Sequence, residues 1–442
     1  MYRVSVIGTG FVGLCTAVCF ADRGYKVLAS TKYKEKASLV NQGIIPFHEP
    51  NLSKVLKKAV RSGHLRAVLG REEAISHSDI SFITVGTPAN PDGSIDLRLI
   101  RQTAEEMGKA LKEKEGKHLV VLKSTVVPGT TEKVVKPILE RNSGKKCVED
   151  FLLCSNPEFL REGNAIQDTL HPDFIVIGEH DKKSGDLLEE LYRDFHEGGV
   201  PPIIRTNPPT AELIKYVNNS FLGTKISFIN TMANICEKIA GVDVRNVAEA
   251  IGKDHRISPY FLRAGLGWGG SCFPKDIKAL VAFSKSLGYE PNMLETAWKV
   301  NEAQVEHTVE IVKNKLGVLK EKKIAILGLS FKPDTDDIRE ARSIKIIKKL
   351  LKEGVTVTAY DPQAIPNVRQ ILGEKIEYAT SAVKCLRNTD CCILVTEWDE
   401  FKRLKPKHFT ENMRHPILID GRRIYNPKSF SEKLDYVGIG LG

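Results

Sequence analysis

Short apolar runs alternate with helix-length stretches over the first 200 residues. Residues 2–7, Tyr-Arg-Val-Ser-Val-Ile, read as a strand that ends on Gly8, and residues 26–30 as another. Between them, residues 11–23 are almost wholly apolar, with Gly24 as a helix stop. A strand, a helix and a second strand in that order predict a right-handed βαβ unit. Further apolar strand segments fall at 80–85, 119–123 and 174–177, with helical stretches between them. The series predicts a parallel doubly wound sheet over residues 1–205.

The pattern then changes. Two proline pairs, Pro201-Pro202 and Pro208-Pro209, punctuate the chain. Asn207 suits an N-cap and Pro208 the first helical position. Residues 210–240 carry a long helical pattern with few breakers, and the helical region is interrupted by a glycine-rich stretch at 265–270. Near residue 320 the opening pattern returns: a strand at 323–328 ending in Gly, a helix at 340–353, and a strand at 355–360 before Asp361. The expected fold class is therefore α/β. Two Rossmann-like doubly wound parallel-sheet domains, 1–205 and 306–442, would be joined by a helical middle domain, 206–305, with a long central helix. The Gly-Ile-Gly-Leu-Gly ending at 438–442 predicts a frayed tail.

Composition narrows the function. A chain of 442 residues with 42% hydrophobic content and a mean hydropathy of −0.20 is expected to build two or three soluble domains. No apolar run approaches the roughly 18 residues of a membrane span. The first residues enter a strand directly and lack the pattern of a signal peptide, so a cytoplasmic location is expected. The net charge of +10 comes without a basic run interleaved with aromatics, without zinc spacing and without a helix-turn-helix signal. Nucleic acid is thus not an expected partner, and the charge favours anionic ligands. Cysteines stand at 15, 19, 147, 154, 236, 272, 385, 391 and 392. With no CxxC pair and an odd count, they predict neither a disulfide framework nor a metal site. Most should be small buried hydrophobes.

Three segments carry candidate chemistry. Gly8-Thr9-Gly10-Phe11-Val12-Gly13 follows a strand and opens a helix. In that context the first Gly permits the turn, the second admits a pyrophosphate, and the third allows helix and strand to pack. An acid is expected at the end of the second strand to hold a ribose 2′-hydroxyl. Thr31 stands there instead, followed by Lys32 and Lys34. A hydroxyl with cations suits a 2′-phosphate, while the lysines are equally explained as surface charges. Cys272 lies in Gly-Leu-Gly-Trp-Gly-Gly-Ser-Cys-Phe-Pro-Lys-Asp, expected to be a mobile glycine-rich loop, with Lys275 and Asp276 close behind. A packing role is the usual fate of a free Cys, but Lys275 would favour a thiolate here. A thiol beside a dinucleotide site suits oxidation of an aldehyde held covalently.

Other pairs are weaker signals. Lys215 and Asn219 are one helical turn apart and would supply a cation and an amide to an oxyanion, or simply face solvent. Glu158 and Glu162 are two carboxylates after a strand, open to a base role or a surface role. Ser124-Thr125 ends a strand, where α/β sites collect ligands.

Taken together the motifs resemble the UDP-glucose 6-dehydrogenase family, within the nucleotide-sugar dehydrogenases. The resemblance spans residues 8–13, 85–88, 123–126, 156–163, 212–219, 267–276, 328–332 with Asp334, 339–340 and 420–422. It implies oxidation of a sugar C6 alcohol to a carboxylate with two nicotinamide cofactors and one water. Cys272 would attack the C6 aldehyde to give a thiohemiacetal, then a thioester that water hydrolyses. Lys215 and Asn219 would stabilise oxyanions, Asp276 and Thr125 would position base and water, and Glu158 would be the acid/base. Glu162 would approach the nicotinamide. The motif positions also imply that Gly8, Gly10, Phe11, Val12, Gly13, Thr31, Lys32, Thr87, Thr125, Lys275 and Arg339 contact the cofactor. Glu158, Phe159, Leu160, Lys215, Asn219, Arg256, Gly267, Gly269 and Lys332 would hold the UDP-sugar. A homodimer about the long helix is implied.

Departures from the family pattern are specific. Thr31 replaces an Asp, so NAD is the expected cofactor with NADP open. Trp268 stands where Phe or Tyr is usual, and Ala341-Arg342 replaces a common Ser-Pro. The 271–276 segment favours UDP-glucose. The alternatives are another nucleotide sugar, such as GDP-mannose or a UDP-N-acetylhexosamine, or a non-catalytic nucleotide-sugar sensor.

Overall fold

The computed structural model describes all 442 residues. It divides into two compact units, Met1–Asn218 and Asn219–Gly442.

The first unit is built on eight strands: β1 (Val4–Ile7), β2 (Val27–Thr31), β3 (Leu65–Leu69), β4 (Ile80–Ile83), β5 (Leu119–Leu122), β6 (Leu152–Ser155), β7 (Ile175–Glu179) and β8 (Ile203–Thr206). Their order is β3-β2-β1-β4-β5-β6-β7-β8. Strand β1 is central and fully buried, with Val4 opposite both Val27 and Ile80. Helices cover both faces. Val4 and Val6 pack with Leu14, Phe20 and Phe82 on one face, whereas Ile7 packs with Ile83, Met107 and Leu122 on the other. Chain order reverses between β1 and β4, so a ligand crevice opens where Gly8 and Thr84 follow those strands.

One pair departs from the expected parallel sheet: β6 and β7 run antiparallel. The connection between them holds only the short helix Ala165–Leu170. The chain re-enters from the same end, and β8 follows β7 in parallel.

In the second unit β9 (Lys323–Leu327), β10 (Thr356–Tyr360), β11 (Glu377–Tyr378), β12 (Cys391–Leu394), β13 (Ile417–Asp420) and β14 (Asp435–Gly438) form a parallel sheet in the order β11-β10-β9-β12-β13-β14. Helices Phe273–Ser286 and Asn292–Leu316 precede it. Helix Pro208–Cys236 is continuous over 29 residues, and the division between the units falls within it.

The tail is not frayed. Gly442 donates to the Val242 carbonyl at 2.9 Å, Val244 donates to Gly440 at 2.9 Å, and Leu441 bridges Asp243. Backbone pairing outweighs the flexibility that the glycines suggest.

Candidate active site

The glycine turn of the first unit is set by packing. Gly8 has φ +115°, and a Cβ on Gly13 would sit 1.9 Å from the Gly8 carbonyl and 2.5 Å from Thr84 Oγ1. Only glycine lets helix Phe11–Asp22 come this close to β1. Gly10, its N-cap, faces open space and offers no side-chain cap, and the first turn carries no acid. The bare N–H groups at this helix start fit a pyrophosphate. Phe11 and Val12 are half-buried beside the turn, and Phe11 packs on Phe47 at 5.5 Å. Thr87 Oγ1 donates to the Thr125 carbonyl at 2.7 Å, tying the loop after β4 to the loop after β5.

Thr31 ends β2, buried, and its Oγ1 accepts from the Tyr33 amide at 3.3 Å. Lys32 Nζ lies 3.5 Å from Glu106, which also takes Arg71 Nη1 at 2.6 Å. Neither Arg71 nor Glu106 stands in a recognisable motif, and both were missed from the sequence.

After β6 the chain turns through residues 156–160. Asn156 anchors the turn: its Oδ1 accepts from Lys123 Nζ at 2.9 Å and from the Tyr192 hydroxyl at 2.5 Å, and its Nδ2 donates to the Val176 carbonyl. Glu158, 8% exposed, accepts from the Leu160 amide at 2.6 Å and lies 3.4 Å from Lys215 Nζ. Lys215 is 3% exposed and sits over the Phe159 ring at 5.3 Å. An ammonium and a carboxylate are thus held together away from water, where their attraction is stronger than in solvent. Burial pushes Lys123 down to about 8. Glu162 is half-buried, four residues beyond Glu158. One turn before Lys215, the Glu212 carboxylate accepts from the Gly129 and Thr131 amides at 2.6 and 2.8 Å, which fastens the loop after Thr125. Burial raises Glu212 to about 7.

In the second unit Cys272 is the N-cap of helix Phe273–Ser286. It is half-buried, whereas the other eight cysteines are buried. Burial pushes Cys19, Cys147 and Cys385 up to about 12, leaving them poor nucleophiles. A thiol at a helix start lies in the positive end of the helix dipole, which favours a thiolate. Ser271 Oγ lies 3.4 Å from Cys272 Sγ. Asp276, 1% exposed, accepts from Asn219 Nδ2 at 2.6 Å and pairs with Lys275 at 2.5 Å. The Lys275 ammonium thus has Asp276 as its carboxylate partner.

The glycine-rich loop, expected to be mobile, is clamped. Gly265 donates to Asn230 Oδ1 at 2.8 Å, Gly270 donates to the Arg339 carbonyl at 2.9 Å, and Asn301 bonds both the amide and the carbonyl of Trp268. A Cβ on Gly267 would meet Asn301 Oδ1 at 2.6 Å, and one on Gly269 would meet the Glu340 carbonyl at 2.4 Å. Arg342 accounts for the departure at that position. It is 2% exposed, donates to Glu302 at 2.9 Å and to the Asn301 and Glu340 carbonyls, and so braces the residue that holds Trp268.

Three expected ligands lie in more open settings. Arg256 is exposed and paired with Asp254, and Arg339 is exposed and paired with Asp337 at 2.7 Å. Lys332 is half-buried, 5.7 Å from the Phe331 ring.

A doubly wound sheet with this turn at its switch point defines a Rossmann-type dinucleotide-binding protein. Three models of the UDP-glucose/GDP-mannose dehydrogenase family match in order: the NAD binding domain over residues 2–196, the central domain over 209–303 and the UDP binding domain over 325–427. The UDP-glucose 6-dehydrogenase of Haloferax volcanii is 43% identical over 98% of this chain and 99% of its own. A UDP-glucose 6-dehydrogenase of Bacillus subtilis is 42% identical over 96% of this chain and 90% of its own. The solved UDP-glucose dehydrogenase of Pyrobaculum islandicum superposes with a TM-score of 0.93 at 37% identity, covering 100% of this chain and 98% of that one. The chain belongs to the UDP-glucose/GDP-mannose dehydrogenase family. NAD as cofactor and a nucleotide sugar as substrate class follow from the matched domains. No helix is long and apolar enough to cross a membrane.

Proposed function

We propose that this dehydrogenase oxidises UDP-glucose to UDP-glucuronate through a covalent intermediate on Cys272. The observation that carries the proposal is the exposure contrast among the cysteines, with the one accessible thiol at a helix start. The relatives named as UDP-glucose 6-dehydrogenases support the substrate.

When bound, the nicotinamide would accept a hydride from C6 in each of two rounds, the C6 hydroxyl giving up its proton to a base each time. After the first round, Cys272 Sγ adds to the aldehyde carbon, and the carbonyl oxygen takes a proton to give a thiohemiacetal. Loss of the second hydride from C6 together with the hydroxyl proton leaves a thioester. Water then attacks the thioester carbon, the C–S bond breaks, and the thiolate is regenerated. The covalent bond retains a reactive aldehyde while the cofactor is exchanged. Lys215 and Asn219 stabilise the oxyanions, a role suited to groups fixed in place before charge develops. Glu158 is the general base for the water, with Thr125 and Asp276 orienting it. Arg256, Lys332, Gly267, Gly269, Phe159 and Leu160 hold the nucleotide sugar. Glu162, Thr87, Lys275 and Arg339 act toward the cofactor. We also infer that NADP is accepted beside NAD, because Thr31 leaves the ribose without its usual acid, and that the protein is cytoplasmic.

The enzyme acts as a homodimer. Leu213, Val217, Phe221, Phe228 and Ile235 are exposed on helix Pro208–Cys236 at spacings that make one stripe. A second copy of the same stripe is the natural cover.

The test is the yield of reduced cofactor per UDP-glucose consumed. Two equivalents with UDP-glucuronate are expected, and Cys272→Ala should abolish them. One equivalent with released aldehyde removes the thioester step. Turnover of GDP-mannose or a UDP-N-acetylhexosamine in place of UDP-glucose overturns the substrate.

A further inference from the structure

The end of β2 carries a charge cluster with no part in the chemistry above. Glu106, on helix Arg98–Lys112, faces two cations at once, Arg71 Nη1 at 2.6 Å and Lys32 Nζ at 3.5 Å. Both cations belong to one corner of the sheet. Leu69 on β3 stands opposite Thr31 on β2, and Arg71 follows two residues later. The Gly70 amide donates to the Thr31 carbonyl at 3.2 Å, and Ser30 Oγ donates to the Gly70 carbonyl. The step that carries Arg71 is thereby stitched to the strand end where a Rossmann sheet receives the adenosine ribose.

Arg71 is an unusual residue to spend on a structural brace. Its side chain is 6% exposed. Nη2 donates to Thr103 Oγ1 at 3.2 Å, while its buried Nε has no hydrogen-bond partner. A buried donor without a partner costs free energy unless a ligand supplies an acceptor. The corner also holds no acid to accept from a 2′-hydroxyl, since its carboxylate, Glu106, is engaged by the two cations.

We propose that Thr31, Lys32 and Arg71 form a subsite for a phosphate on the 2′-oxygen of the adenosine ribose, with Glu106 as the internal anion that occupies the two cations when that phosphate is absent. This rests on the dinucleotide reading of the glycine turn and not on the identity of the sugar. A 2′-phosphate brings nearly two negative charges and three acceptor oxygens, enough to engage an ammonium, a guanidinium and a hydroxyl together. Glu106 explains how one pocket takes both cofactors. With NAD, it neutralises the cations. With NADP, it yields them to the phosphate, and the cost of displacing it sets the preference.

Titration calorimetry with NAD and NADP, without sugar, tests this independently of turnover. The wild type is expected to bind both. Glu106→Gln removes the competing anion and should raise the NADP-to-NAD affinity ratio about tenfold, the worth of one charge-assisted contact. Lys32→Ala should lower that ratio about tenfold. Raising salt should weaken NADP more than NAD. A ratio that neither substitution moves overturns the subsite and leaves Arg71–Glu106 as a brace. Binding of NAD alone in all three proteins overturns it too. Failure to bind either dinucleotide overturns the glycine-turn reading, and the subsite falls with it.

Discussion

Lys123 is buried at the end of β5 with neutral partners, Asn156 and Tyr192, and replacing it with Met should stabilise the first unit at neutral pH. Burial lowers its proton affinity from an ordinary 10.5 to about 8. At about 1.4 kcal/mol for each tenfold change, keeping the ammonium folded costs about 3 kcal/mol below pH 8. Lys123→Met removes that cost and loses one hydrogen bond worth about 1 kcal/mol, because Asn156 Oδ1 keeps the Tyr192 hydroxyl as donor. A net gain of about 2 kcal/mol remains, which for a unit of this size raises the melting temperature by roughly 4–8 °C.

The pH dependence fixes the direction of the effect. Between pH 8 and 10.5 the unfolded chain holds a proton that the folded chain has shed, so wild-type stability rises with pH in that window. The Met variant lacks the proton in both states, and its advantage should close by about pH 9.5. Calorimetry and far-ultraviolet circular dichroism of both proteins at pH 7 and 9.5 measure the gap. A variant no more stable than wild type at pH 7, or a gap of equal size at both pH values, refutes the reasoning.

Other perturbations read other parts of the molecule. Gly13→Ala drives a methyl into the Gly8 carbonyl, and calorimetry should show at least tenfold weaker dinucleotide binding with about 1–3 kcal/mol of lost stability. Phe221→Glu puts a charge in the centre of the exposed stripe, and sedimentation should give a dimer for the wild type and a monomer for the variant. Arg342→Met leaves Glu302 with Lys345 but frees the Asn301 and Glu340 carbonyls, so thermal denaturation should show a loss of about 2–4 kcal/mol.

The opening βαβ unit was legible because apolar runs and a glycine stop are local signals. Strand β3 was not, since Leu-Arg-Ala-Val-Leu is short, carries an exposed Arg66 and lies at the sheet edge. Strand β8 is also an edge strand, partly exposed and masked by Pro201-Pro202. The reversal at β7 leaves no mark on side-chain patterning, because a short buried strand reads the same in either direction. The same distinction divides the site. The glycine turn and Cys272 announce themselves through residues that are neighbours in sequence. The Arg71–Glu106 and Arg342–Glu302 pairs join residues from distant segments, so each member alone reads as a surface charge. The glycine-rich 265–270 stretch misled in the other direction. Glycine signals either freedom or close approach, and here Asn230, Asn301 and the Arg339 carbonyl make it close approach.

The tryptophans fall entirely in the second unit, at 268, 298 and 398. Trp268 and Trp298 stand edge to face at 5.6 Å, and Trp268, buried at 5% exposure, donates its indole N–H to Ser227 and packs on Phe273, next to Cys272. Indole emission is therefore a built-in optical report on the second unit, the cysteine loop included, and silent about residues 1–218. Unfolding followed by emission beside dichroism would resolve the two units without any label.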